Sequence, residues 1–376
     1  TGLVAGCGGE KKEDAKASDV IKVGVFLPLT GDNAAGGELE LRGIKLANKL
    51  HPEVLGKKIE LVVADNKSDK AEAASVAARL IEKDKVSVIV GSYGSSLSMA
   101  AGNIVKDSKV PAVGTSCTNP QVNANNDYYF RACFIDPFQG TVMANFAKND
   151  LQATKAAILI DNSSDYAKGL AEFFKKAYTE KGGTVVIEES YLQKDSDFKA
   201  VLTKIAAAKP EVIYVPGYYE EVGKICKQAR ELGITVPIIG GDGWDSPKLV
   251  EIAGASSLNN TYFTNHYSPD STNEASKAFV DTYAKTYKQK PDAPAVLGYD
   301  GAMLLADSIK RAGVYESAKV AEALAATKDF QAVTGKTSLD ASHDAVKSAV
   351  IVGFKDGKQA VSYTHLRAHE TAANLV

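Results

Sequence analysis

Short apolar, β-branched runs alternate along this chain with longer stretches whose apolar positions recur at helical spacing. Residues 21–27, 59–64, 86–90 and 110–113 read as buried strands, and 39–50, 70–82 and 97–105 as the helices between them. A tyrosine-rich segment at 127–131 leads to Pro137, and the alternation then restarts. Strands are predicted at 156–160, 184–189, 212–215 and 236–239, with helices at 167–179, 198–208 and 220–232. Strands separated by helices of roughly 10–15 residues predict parallel α/β architecture. Two such sets predict two doubly wound lobes. The last third differs: helices at 275–287, 295–311 and 318–326, then a strand at 346–354. These pieces are too few for another α/β domain and are expected to complete the first two.

The chain has 376 residues, enough for two ordinary domains. Its 45% hydrophobic and 24% charged content is that of a soluble globular protein. A formal net charge of −2 gives no electrostatic reason to expect nucleic acid. No apolar run approaches the roughly 20 residues that span a bilayer. Four cysteines and five histidines lack metal-ligand spacing, so neither metal nor cofactor is expected. At the start, Leu3-Val-Ala-Gly-Cys7 resembles the lipobox of bacterial lipoproteins, in which the cysteine carries a diacylglyceryl thioether. Residues 1–7 are therefore expected to be the remnant of a lipoprotein signal, with Cys7 the lipidated residue. Residues 8–20 read as a polar tether. The stretch from Ser362 follows an expected end at Lys355-Asp-Gly-Lys358 and resembles a translated adapter, so 362–376 is left out of the predicted fold.

The chemistry gathers in loops at strand ends. After the strand at 86–90 comes Gly91-Ser-Tyr-Gly-Ser-Ser96 and then a helix. Free backbone N–H groups, the positive end of the helix dipole and the hydroxyls of Ser95 and Ser96 make a place for an anion. The plainer alternative is that one of these serines caps its own helix. A second loop of like chemistry, Thr115-Ser-Cys-Thr-Asn-Pro120, follows the next strand, and loops at the same ends of a parallel sheet converge. The second set of loops offers Tyr166, Tyr218 and Tyr219, with the carboxylates Asp161, Asp242 and Asp245. Aromatic rings make an apolar wall with polar tips. Asp242, within Gly-Asp-Gly, also suits a tight turn. Together the loops describe a site with one pole for an anion and one for a cation. An α-amino acid carries both charges a few bonds apart.

Here the chain resembles the leucine/isoleucine/valine-type solute-binding proteins of bacterial ABC importers, over residues 21 to about 361. The resemblance rests on Pro28-Leu-Thr-Gly31, Gly91-Ser-Tyr-Gly-Ser-Ser96, Thr118-Asn-Pro120, Phe134-Ile-Asp-Pro-Phe-Gln-Gly140, Tyr166-Ala-Lys-Gly169, Pro216-Gly-Tyr-Tyr219, Gly240-Gly-Asp-Gly-Trp244 and Gly298-Tyr-Asp300. It implies the type I periplasmic-binding fold: two Rossmann-like lobes, three crossovers and a ligand between them. The lobes are expected over 21–136 plus 266–344, and 137–265 plus 345–361. By resemblance, Ser95 and Thr118 hold the amino-acid head group, Ser116 lends backbone groups, and Thr118 touches both charges. Asp242 takes the place of an acidic partner, commonly Glu, for the ammonium. Tyr166 and Tyr218 match the aromatic wall, with Tyr93 and Tyr299 as further wall residues. Where leucine-type relatives often carry an aromatic in the first loop, this chain has Gly36, which would widen the side-chain pocket.

The resemblance implies an extracytoplasmic, lipid-anchored or periplasmic carrier, expected to be a monomer, whose partner is a membrane permease. Cys117, inside its loop, is expected to line the pocket as a small hydrophobe. Cys133 is its only plausible disulfide partner by proximity, with free thiols the favoured state. An enzyme is the first rival. No complete G-x-G-x-x-G follows the first strand, Gly91-Ser-Tyr-Gly-Ser95 is not G-x-S-x-G, and His266 is placed on a crossover. A sensory ligand-binding protein is the second, since the fold permits it.

Overall fold

The structure is a computed structural model that describes residues 19–268 and 274–365. The first sheet contains β1 (Val20–Leu27), β2 (Glu53–Val54), β3 (Lys57–Asp65), β4 (Val88–Val90), β5 (Ala112–Gly114) and β6 (Tyr129–Arg131). Their order is β2-β3-β1-β4-β5-β6, parallel from β3 to β6. Helices α1 (Ala34–Leu50), α2 (Lys70–Glu82) and α3 (Ser95–Ser108) connect these strands. The chain winds from β1 to β3 on one side and then to β4 on the other. The strand order therefore reverses at β1/β4, and a crevice opens beyond the carboxyl ends of those strands.

The second sheet repeats this plan with β7 (Lys155–Asp161), β8 (Thr184–Tyr191), β9 (Val212–Val215), β10 (Ile238–Gly240) and β11 (Thr261–Asn265). Its helices are α4 (Asp136–Asn145), α5 (Asp165–Glu180), α6 (Lys199–Ala207), α7 (Tyr219–Glu231) and α8 (Pro247–Ala253). Helix α5 shows how patterning sets the packing. Tyr166, Leu170, Phe174 and Tyr178 recur every fourth residue on its buried face, and Phe174 stacks on Tyr214 of β9 at 3.9 Å. Ser164 caps the helix, its hydroxyl accepting the Ala167 N–H at 3.1 Å.

The elements of the final third divide between the two sheets. Helices α9 (Glu274–Tyr287), α10 (Ala293–Ala312) and α11 (Ser317–Ala325) return to the first, where α10 lies along α1. A small antiparallel sheet follows, made of β12 (Phe330–Ala332), β13 (Gly335–Leu339) and β14 (Ala345–Val346). The chain then crosses to the second sheet as β15 (Ala349–Lys355) and β16 (Lys358–His365), giving the order β16-β15-β11-β10-β9-β7-β8. The three crossings lie after β6, after β11 and after β14. Lys347 in the third donates to the Ala132 carbonyl in the first at 2.8 Å, tying the two together.

Several expectations need correction. Ala345 and Val346 still pair with β13, so the third crossing comes two residues later than expected. Lys355-Asp-Gly-Lys358 is a hairpin turn, not an end. Asp356 and Gly357 have φ of 51° and 74°, as a tight Asp-Gly hairpin requires. Ser362–His365 therefore belong to β16; Tyr363–His365 pair through their backbone with β15, and Ser362 sits at a bulge in the ladder. Backbone pairing on an edge strand tolerates an unpatterned sequence, which is why the strand was illegible. Residues 366–376, the 1–7 segment with Cys7, and nearly all of the 8–20 tether lie outside the described residues. Helix α4 was missed because Pro137, at its second residue, reads as a break although proline suits a helix's first turn. No helix among the described residues is long and apolar enough to cross a membrane.

Candidate ligand-binding site

The first wall of the crevice is built from two loops of the first sheet. Gly91 (φ 122°) ends β4 so close to β1 that a Cβ there would lie 2.3 Å from the Phe26 carbonyl oxygen. Tyr93 bridges to Ser116, and the Gly94 N–H donates to the Ser116 carbonyl at 3.0 Å. The Gly-rich loop and the 115–118 loop are thereby fixed side by side. Ser95 opens α3, and its hydroxyl accepts the Asn119 N–H at 3.1 Å. It thus joins the two loops instead of capping its own helix, and keeps its own hydrogen to donate. Behind the wall, Glu40 of α1 accepts from the hydroxyls of Thr115 and Ser116. Burial pushes this carboxyl up to about 8, against the opposing pull of those two hydroxyls.

The second wall carries charge. Asp242 follows β10, and its Oδ1 accepts from the Tyr166 hydroxyl at 2.9 Å and from Gln139 Nε2 at 3.0 Å. Its Oδ2 lies 2.9 Å from His266 Nε2. Burial pushes Asp242 up, but the hydrogen bonds and charge of its partners, His266 foremost, outweigh it and hold the group below the ordinary carboxylate value. Gln139 Nε2 also reaches Asp136 Oδ1 at 2.7 Å. Burial, then the Asp242 charge, lifts Asp136 to about 7. Burial lowers His266, with Asp242 opposing. The site therefore combines one carboxyl shifted toward its charged form with two carboxyls and an imidazole shifted toward their neutral forms.

Between the walls lies a narrow cleft, partly open to solvent. Of the predicted residues, Tyr93, Ser116, Thr118, Tyr166, Tyr218 and Asp242 line it. Tyr218 stands between Tyr166 and Tyr93, at ring-centroid distances of 5.1 and 5.6 Å. Its hydroxyl sits against the Ser95 N–H at the start of α3. Ser96 faces away: its hydroxyl donates to Asp165 Oδ2 at 2.9 Å and accepts the Asp165 N–H at 3.0 Å, binding α3 to α5 across the lobes. Cys117 is absent from the cleft lining and belongs instead to the buried first-lobe cluster that includes Tyr129 and Val122. It neighbours Cys133, and both thiols are free. Tyr299 packs on Phe279 at 4.7 Å, on the face of α10 turned from the cleft. Gly36 opens no space, since a Cβ there would lie 2.4 Å from the Tyr93 ring that covers it.

Sequence reasoning missed Glu40, Asp136 and Gln139, and passed over His266, Ala293, Pro294 and Leu297. The last four line the cleft because the second crossing and the start of α10 return to it. Asp136 and Gln139 lay inside a quoted motif, Asp-Pro-Phe-Gln-Gly, and their three-residue spacing puts them on one helix face.

A family model described as periplasmic binding protein matches residues 20–359. An amino acid binding protein of Pseudomonas aeruginosa is 31% identical over 91% of each chain. The crystal structure of a leucine binding protein, LivK, from Thermotoga maritima superposes with a TM-score of 0.89 at 40% identity, covering 92% of this chain and 98% of that one. LivJ of Streptococcus pneumoniae, solved with isoleucine, gives 0.87 at 38% identity over 93% and 99%. These relatives are binding proteins, not enzymes, the pneumococcal one the substrate-binding protein of a transporter, and the two solved ones share the type I fold of this chain. With a matched model spanning nearly all of its length and relatives aligned end to end, this chain belongs to the periplasmic binding protein family, whose members work outside the cytoplasm.

Proposed function

We propose that the chain captures a free L-amino acid with an apolar, branched side chain and presents it to the membrane permease of an ABC importer. The observation that carries this is the pair of unlike poles facing each other across the cleft. On one side the 116–118 loop lines the cleft with hydroxyls, and Ser95 at the start of α3 is joined to it through Asn119 without itself lining the cleft; on the other stands Asp242, held below the ordinary carboxylate value. Ser95, Thr118 and the start of α3 bind the carboxylate. Thr118 and Asp242 bind the ammonium. Tyr166, Tyr218 and Tyr93 cover the side chain, with Pro294 and Leu297 closing the mouth. Relatives named for amino acids, and the isoleucine in the pneumococcal complex, support the ligand class.

Because the poles belong to different lobes, a ligand favours the closed state through contacts that the open state lacks. A permease then reads the closed shape of a monomeric carrier. Cys7 tethers the carrier to the outer face of the membrane; two acyl chains at about 0.8 kcal/mol per CH₂ suffice where one does not. Calorimetry against the common amino acids tests the ligand class. Leucine, isoleucine or valine should bind tightest, and binding of sugars or dipeptides alone would refute it. Mass spectrometry of the mature N-terminus, after expression in a bacterial host, tests the anchor. An unmodified Cys7 refutes that part alone.

A further inference from the structure

Asp242 shares the cleft with an imidazole that the two-pole scheme leaves unused. His266 is the first residue after β11, on the second crossing between the lobes. Its ring is stacked on Phe134 of the first crossing at 3.6 Å and is almost wholly buried. Its backbone N–H donates to Asn265 Oδ1 at 2.9 Å, so ring and backbone are both fixed. Nε2 lies 2.9 Å from an ionised carboxylate oxygen and must carry a hydrogen to bond to it. Nδ1 is buried and has no hydrogen-bond partner. In the neutral ring Nδ1 is therefore a bare lone pair. Adding a proton there creates a buried donor with no acceptor, beside a full positive charge.

We propose that His266 is the positioning residue of the cationic pole, aiming the Asp242 carboxylate when neutral and competing with the ligand's ammonium for that carboxylate when protonated. The proposal rests on the assignment of Asp242 to the ammonium. Asp242 and Asp245 face the ring from the loop after β10, and Lys347 faces it from the third crossing. Asp136 and Gln139 of α4 reach it through Asp242. Burial lowers the ring below its ordinary value and Lys347 adds to this, while both aspartates oppose. A bound ammonium brings another positive charge to Asp242 and lowers the ring further. Proton uptake and ligand binding therefore oppose each other. By linkage, affinity is level at pH values above the ring's pKa and falls by up to about tenfold per pH unit as acidification passes through it. Asp136, lifted to about 7, titrates close by but reaches Asp242 only through Gln139, so the test must separate the two.

The experiment is calorimetric titration of the full chain with L-isoleucine from pH 8.0 to 4.5, for wild type, His266→Gln and Asp136→Asn. Glutamine can still donate an amide hydrogen to Asp242 but does not titrate. Wild type should lose at least tenfold in affinity across the range, His266→Gln less than threefold, and Asp136→Asn as much as wild type. The proposal is overturned if His266→Gln keeps the acid loss, or if Asp136→Asn removes it. Should His266→Gln fail to fold, the His266 Cε1–H resonance of wild type decides. Isoleucine must lower its titration midpoint, and an unmoved midpoint overturns the proposal. If no amino acid binds at pH 8.0, the amino-acid reading falls and this inference with it; binding with an unaltered profile sinks this inference alone.

Discussion

The two walls of the cleft are built on different principles. The first is made of loops at the ends of β4 and β5, and its donors are backbone N–H groups and hydroxyls held by their own neighbours. Ser95 joins Asn119, Gly94 joins Ser116, and Ser116 joins Glu40. None of these cleft-facing donors titrates near neutral pH. The second wall is a side-chain network in which Asp242 gathers Tyr166, Gln139 and His266 from three separate segments. The difference teaches where an anion and a cation are best held. A carboxylate is met by donors that secondary structure fixes for free, whereas an ammonium needs a charge, and a buried charge needs partners.

The comparison breaks most readily at Asp242. Asp242→Ala removes a charge-assisted hydrogen bond worth roughly 1.5–3 kcal/mol, or about 10- to 100-fold in amino-acid affinity by calorimetry. Unchanged affinity would remove the ammonium from the second wall. Behind the first wall, Glu40→Gln should change stability and its pH dependence more than binding. The Glu40 carboxyl is raised to about 8, so the stability it permits is full below its unfolded value of 4.5 and is lost as pH rises through about 8. Denaturant melts at pH 5 and pH 9 should show the glutamine variant losing less between them, by on the order of 2 kcal/mol. An equal loss in both proteins would mean that Glu40 folds already ionised.

Tyr218→Ala sharpens the contrast between charge and wall area. It should weaken leucine by about 1 kcal/mol and hardly touch glycine. Equal losses for both would make Tyr218 a head-group residue. The smallest effect is expected at the latch outside the cleft. Asp165 accepts from Lys70 at 2.8 Å and from Ser96, and its carbonyl accepts from Asn119, so three first-lobe groups meet the start of α5. The ion pair is partly exposed, and pairs of that kind contribute about 0.2–1 kcal/mol. Asp165→Asn should therefore weaken binding about two- to fivefold through faster ligand release in stopped-flow traces. A slower association rate with unchanged release would place the latch on the open state instead.

The sequence by itself determined the two α/β sets, because apolar runs and helical spacing record which faces are buried. It also determined the loops after β4, β5, β7, β9 and β10, since a parallel sheet brings equivalent strand ends together. Asp242, Thr118, Tyr166 and Tyr218 were legible for that reason: each lies at such an end. Only the tertiary structure decided which way the residues between them face. Cys117 sits between the lining residues Ser116 and Thr118, and a single step along the loop turned it away; Ser96 was turned to the α5 contact instead. Tyr299 follows Gly298 by one residue and falls on the far side of α10. His266, Pro294 and Leu297 reach the cleft from the second crossing and from α10, far along the chain from the loops they face. No local pattern records such a contact, because it exists only once two separately folded lobes are joined.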